Sequence, residues 1–172
     1  MCKICQIKYE GITILIITNC QNIKEIPSIE GIFSLIIKNC NNISKIHNIE
    51  GLYDLCLTDC NNITNIPQIK GLKHLIIENC KNITNISIIE GLKELCIIKC
   101  QNIREIPNIK DIRELCVHNC DNFNNYHNRP HLHNNNIYSI KEFNNMNKIK
   151  RWYKRLKLRN KLLLYDELVI IY

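Results

Sequence analysis

From Ile12 to about Arg129 the chain repeats itself every twenty residues, six times over. One unit, Leu52 to Gly71, reads L-Y-D-L-C-L-T-D-C-N-N-I-T-N-I-P-Q-I-K-G. Its opening apolar position is Ile12, Ile32, Leu52, Leu72, Leu92 and Ile112 in the successive copies, followed three residues on by Leu15, Leu35, Leu55, Leu75, Leu95 and Leu115. Ile17, Ile37, Leu57, Ile77, Ile97 and Val117 come next, and then an unbroken column of cysteines at Cys20, Cys40, Cys60, Cys80, Cys100 and Cys120. A short fixed period marks a supersecondary unit too small to bury its own apolar face, so the copies must stack into a solenoid.

The repeated L-x-x-L-x-L-x-x-C-x-x-I resembles the leucine-rich repeat, whose ninth position takes Asn or Cys. C-x-x-I-T at Cys60–Thr64 and Cys80–Thr84 is similar to the cysteine-containing class common in substrate adaptors of ubiquitin ligases. The short unit with I-P-x-I at Ile66–Ile69 is closer to the compact repeats of bacterial effectors. The composition, rich in Ile, Asn and Lys with no alanine, is that of an AT-rich genome, and with the cysteine repeats it is similar to repeat proteins of amoeba-infecting giant DNA viruses. The resemblance implies an α/β-type repeat solenoid with short parallel strands on a concave face, an extended or 3₁₀ convex side and a protein-binding role.

Within a unit, Leu55 and Leu57 alternate with outward residues at period two, which predicts a short strand. Leu52, Leu55, Leu57, Cys60, Ile63, Ile66 and Ile69 are then the core side chains. Asn62 and its equivalents, two residues after each cysteine, are expected to shape the bend by bonding their own backbone. Pro27, Pro67 and Pro107 exclude a regular helix on the return path. Gly31, Gly51, Gly71 and Gly91 are placed to supply positive φ where units join; Asp111 takes that place in the last copy.

Four segments follow: a degenerate half-repeat at 1–11, the repeats at 12–126, an Asn/His-rich linker at 127–147 and a basic segment at 148–172. Eight basic residues and no acidic one fall between Lys148 and Lys161, and this run carries almost all of the net charge of +7. Ile149, Trp152, Tyr153, Leu156, Leu163 and Leu164 recur at helical spacing, so an amphipathic C-terminal helix is expected there, with 162–172 continuing it or folding back as a strand. Lys150, Arg151, Lys154, Arg155 and Arg159 form its cationic side. The spacing of Ile149, Lys154, Arg155 and Arg159 is similar to an IQ motif and implies a calmodulin-like partner, whereas the cations with Trp152 and Tyr153 suit nucleic acid.

The strand residues that alternate with the core define the expected binding face. Its central column is Ile16, Ile36, Cys56, Ile76, Cys96 and Cys116, flanked on one side by polar residues that include His74, Glu94 and Glu114. An apolar centre within a polar rim is interface anatomy, so this column is expected to stand in solvent and anchor an unidentified protein.

No nucleophile and base are set by a recognised motif, and glycine serves only as repeat punctuation, so no catalytic residue, cofactor or metal site is expected. The eleven cysteines are explained by repeat position rather than by disulfides. With no signal sequence at Met1–Glu10 and no apolar run of bilayer length, the expected setting is an intracellular, reducing compartment with no membrane contact.

Overall fold

The computed structural model describes residues 12–123, 137–138 and 168–171. Each repeat contributes one five-residue strand: β1 (Ile14–Thr18), β3 (Ser34–Lys38), β5 (Asp54–Thr58), β7 (His74–Glu78), β9 (Glu94–Ile98) and β10 (Glu114–His118). They pair in parallel with a register of twenty residues, so that Leu15, Leu35, Leu55, Leu75, Leu95 and Leu115 lie side by side. On the return path, two-residue strands pair in the same sense, β2 (Glu25–Ile26) with β4 (Lys45–Ile46) and β6 (Asn65–Ile66) with β8 (Asn85–Ile86). No helix occurs among the described residues, in keeping with the prolines. The chain is therefore a parallel β-solenoid with a twenty-residue turn.

The core follows the repeat. Leu52, Leu55, Leu57, Cys60, Ile63, Ile66 and Ile69 are each 1% exposed or less. Their equivalents form one continuous apolar cluster from Leu15 to Cys120.

The cysteine column is a ladder of free thiols. Cys40 Sγ accepts the Cys20 N–H at 3.3 Å and lies 3.2 Å from the Lys38 carbonyl, and Cys120 Sγ accepts the Cys100 N–H at 3.4 Å. Each such thiol satisfies backbone groups that the turn leaves inside the core, where an unpaired N–H costs about 1–3 kcal/mol. Burial pushes the Cys40 thiol up to about 11 and Cys100 to about 12. Both stay protonated at neutral pH and lack the thiolate that oxidation and metal binding require.

The bend after each strand differs from the expected one. The left-handed residue precedes the cysteine: Asn19, Asn39, Asp59, Asn79, Lys99 and Asn119 have φ between 51° and 55°. Asn42, Asn102 and Asn122, expected to bond their own backbone, instead donate Nδ2–H to the carbonyls of Gln21, Lys81 and Gln101 in the preceding turn. They tie one turn to the next. Glycine behaves as expected: Gly51 has φ 82° in a turn closed by Leu52 N–H to the Ile49 carbonyl at 3.2 Å, a type II geometry.

Lys99 is the exception in its column, because a side chain other than Asn, Asp or Gly is disfavoured at positive φ by about 1 kcal/mol or more. Lys99→Asn is therefore expected to stabilise the chain by about 0.5–1 kcal/mol, raising Tm by about 1–4 °C. Thermal unfolding followed by circular dichroism checks this, and an unchanged or lower Tm contradicts the strain.

Two further strands lie at the edges of the sheet. In the linker, β11 (Ile137–Tyr138) pairs with β10. Of the two readings open for 162–172, the strand is the one seen: β12 (Leu168–Ile171) lies parallel to β1, with Leu168 opposite Ile14 and Ile171 opposite Ile17. The main sheet thus has eight strands in the order β11-β10-β9-β7-β5-β3-β1-β12. Leu168–Ile171 reads L-V-I-I, a β-branched run suited to a strand, and the edge of β1 supplies the backbone partners that a strand needs. The basic run that carries Lys150, Arg151, Lys154, Arg155 and Arg159 lies outside the described residues, as does 1–11.

Candidate interaction face

Period-two alternation sends Ile16, Ile36, Cys56, Ile76, Cys96 and Cys116 to the side of the sheet opposite the core, and register places them in a line. The direction is as expected; the exposure is not. Ile76 is 1% exposed, Cys56 5% and Cys96 7%, so solvent is excluded from the centre of the column. Ile14, Ser34, Asp54 and Ile98 on the same side are buried as well. Within the column, Ile16, Ile36 and Cys116, towards the two ends, are the half-buried members.

The physical reason is legible in the strands themselves. Parallel sheets are commonly covered on both faces, and such strands read as unbroken apolar runs rather than clean alternation. Leu75-Ile76-Ile77 and Leu95-Cys96-Ile97-Ile98 are runs of that kind. An apolar column on the second face therefore signals a second buried layer as readily as a docking stripe.

Beside the column lies a row of in-register polar residues: Ser34, Asp54, His74, Glu94 and Glu114. His74 Nδ1 is 2.6 Å from Asp54 Oδ1, and Nε2 is 3.7 Å from Glu94 Oε1. The short contact fixes the tautomer with Nδ1–H donating to Asp54 and turns Nε2 towards Glu94. The Tyr53 ring meets His74 edge-on at 5.0 Å and stacks on Phe33 at 4.7 Å, closing one side of the pair. Asp54 is 3% exposed, and a buried carboxylate requires this kind of partner. Glu114, at the end of the row, is exposed.

The expected functional residues are thus divided. His74 and Glu94 belong to a charge row with a buried member, Cys56, Ile76 and Cys96 belong to a closed layer, and Ile16, Ile36, Cys116 and Glu114 retain access to solvent. Cys96 and Cys116 are register partners, both free thiols. Contact with the Cys116 thiol, reinforced by burial, pushes Cys96 well up.

The described residues contain no group of three or more His, Cys, Asp or Glu placed to hold a metal ion, and no helix long and apolar enough to cross a membrane. Among the described residues, two shallow depressions on the return path are lined in part by Ile88, which at 57% is the large apolar side chain most open to water there. A single exposed isoleucine is ordinary for a soluble surface. Comparison with family models, curated proteins and solved structures finds no match for this chain, so a functional reading rests on its own geometry.

Proposed function

We propose that the chain is a non-enzymatic protein-binding module of the leucine-rich-repeat type, related to the repeat proteins of giant DNA viruses and acting inside cells. The L-x-x-L-x-L-x-x-C-x-x-I signature coinciding with a strand, a buried cysteine and a short extended return supports the repeat class. Nine free cysteines among the described residues support a reducing setting.

The binding patch is the N-terminal end of the outer face. The observation that carries this reading is that Ile16 and Ile36, register partners on β1 and β3, are half-buried where the centre of the same column is closed. The exposed Lys38 lies two residues beyond Ile36 on the same face, giving an apolar pair with a basic rim suited to an acidic or polar partner.

The test compares pull-downs by the wild type, Ile36→Asp and Ile88→Asp, with circular dichroism to confirm folding. Captured proteins should be lost with Ile36→Asp, by about tenfold or more if Ile36 is an anchor worth at least 1.4 kcal/mol. They should be retained with Ile88→Asp, which alters an exposed isoleucine elsewhere. Equal capture by a folded Ile36→Asp chain removes the patch.

A further inference from the structure

The edge of β1 is a backbone surface, distinct from the side-chain patch just described, and it stands whether or not that patch binds a partner. A strand at the end of a parallel array carries a row of N–H and C=O groups that need partners and that pair with any extended segment of suitable shape. In this chain the segment is its own β12, joined in parallel over Ile14–Ile17. β12 and β11 are the outermost strands at opposite edges of an eight-stranded sheet, about 34 Å apart at ~4.8 Å per strand. Residues 139–167 join them in sequence. The pairing is therefore as non-local as the fold allows, and no tight turn fixes it to β1.

The sequence of β12 adds a second observation. Glu167–Ile171 reads E-L-V-I-I and reproduces E-L-C-I-I at Glu94–Ile98 with one change, so the C terminus carries a copy of an internal rung. That likeness would place Leu168 at the position of Leu95, in line with Leu15; the observed pairing sets Leu168 opposite Ile14, one residue away. A strand apolar at every position lacks the alternation of polar and apolar residues that specifies register, so its sequence does not tie it to one pairing.

We propose that the β1 edge is a strand-acceptor site whose partner is a second copy of this chain, each copy placing its Leu168–Ile171 beside β1 of the other. Reciprocal exchange fills both acceptor edges with the same strand that fills them in one chain, so nothing is lost in contacts and a two-fold dimer results. In dilute solution the strand of the same chain has the advantage of effective concentration, on the order of millimolar for linked partners. Exchange is then favoured by high protein concentration or by conditions that open the edge.

The experiment mixes two pools of full-length chain carrying different mass tags. They are concentrated in sub-denaturing urea, returned to buffer and examined by native mass spectrometry. A ten-residue peptide, Leu163–Tyr172, competes for the acceptor edge, and a fluorescent form of it measures capture directly. Mixed dimers are expected, falling about tenfold or more with excess peptide. The double variant Val169→Pro, Ile170→Pro should form none, because adjacent N–H groups in a strand face opposite edges and one of these two prolines removes a bond to β1. With its own strand disabled, that variant should also capture more labelled peptide than the wild type. Absence of mixed dimers together with absence of peptide capture by the wild type overturns the proposal, and this arm decides even if the proline variant does not fold.

Discussion

Ile76→Asp is expected to unfold the chain, whereas Ile36→Asp in the same column is expected to leave it folded. Both substitutions put a carboxylate on the outer face of the sheet, two strands apart. Ile76 is 1% exposed and flanked in register by Cys56 and Cys96, themselves buried. Removing the isoleucine forfeits about 2–5 kcal/mol of burial and packing. A carboxylate in its place adds the cost of an unpaired polar or charged group, about 1–3 kcal/mol or more. Weak thiol donors on either side offset little of that. The combined loss of about 3–8 kcal/mol is comparable with the whole stability of a domain at the lower end of the usual range, about 5–15 kcal/mol. Ile36 is half-buried, and an aspartate there can turn its oxygens to water, so a loss of about 1–2 kcal/mol is expected. Circular dichroism and urea titration of the two variants separate the outcomes. Equal stabilities would show that the centre of the column stands in solvent after all.

That contrast also marks how far the repeat pattern reaches. The inner ladder was legible because it obeys two independent periods at once: Leu55 and Leu57 alternate within the strand, and each recurs twenty residues away in the next turn. The role of Gly51 was legible because only a turn with positive φ makes glycine the favoured residue at each junction. Alternation identifies which side a residue faces and says nothing of what covers that side; for Ile76 the sign of a covered face is the unbroken apolar run with Leu75 and Ile77. Lys99 was hidden because lysine is an unusual occupant of the left-handed region, although Asn or Asp in its column at Asn19, Asn39, Asp59, Asn79 and Asn119 marked the place. The pairing of Leu168–Ile171 with β1 joins opposite ends of the described fold, a relation that no local pattern encodes. The helical spacing over Ile149–Leu164 lies outside the described residues.

The charge row was half legible: the in-register column of Asp54, His74 and Glu94 follows from the period, while the burial of Asp54 does not. That burial determines the second large effect. His74→Leu is expected to cost about 3–5 kcal/mol, the range for leaving a buried charge without its partner. Among the hydrogen bonds of the described residues, the bond to His74 Nδ1 is the one made by the Asp54 carboxylate, so the substitution leaves that carboxylate buried without its donor. Asp54→Ile should cost less, because His74 remains partly exposed and still faces Glu94 at 3.7 Å. The double variant Asp54→Ile, His74→Leu removes both polar members and continues the apolar character of Ile14 at the same position of β1. It is expected to recover most of the loss, since replacing a buried pair by well-packed apolar residues is often neutral or stabilising. The diagnostic quantity is the coupling in this cycle, expected to be about 2–3 kcal/mol, read from urea unfolding of the wild type and three variants. Additive losses would mean that the Asp54 carboxylate does not depend on His74, and the row would then be three neighbouring polar residues rather than an energetic unit.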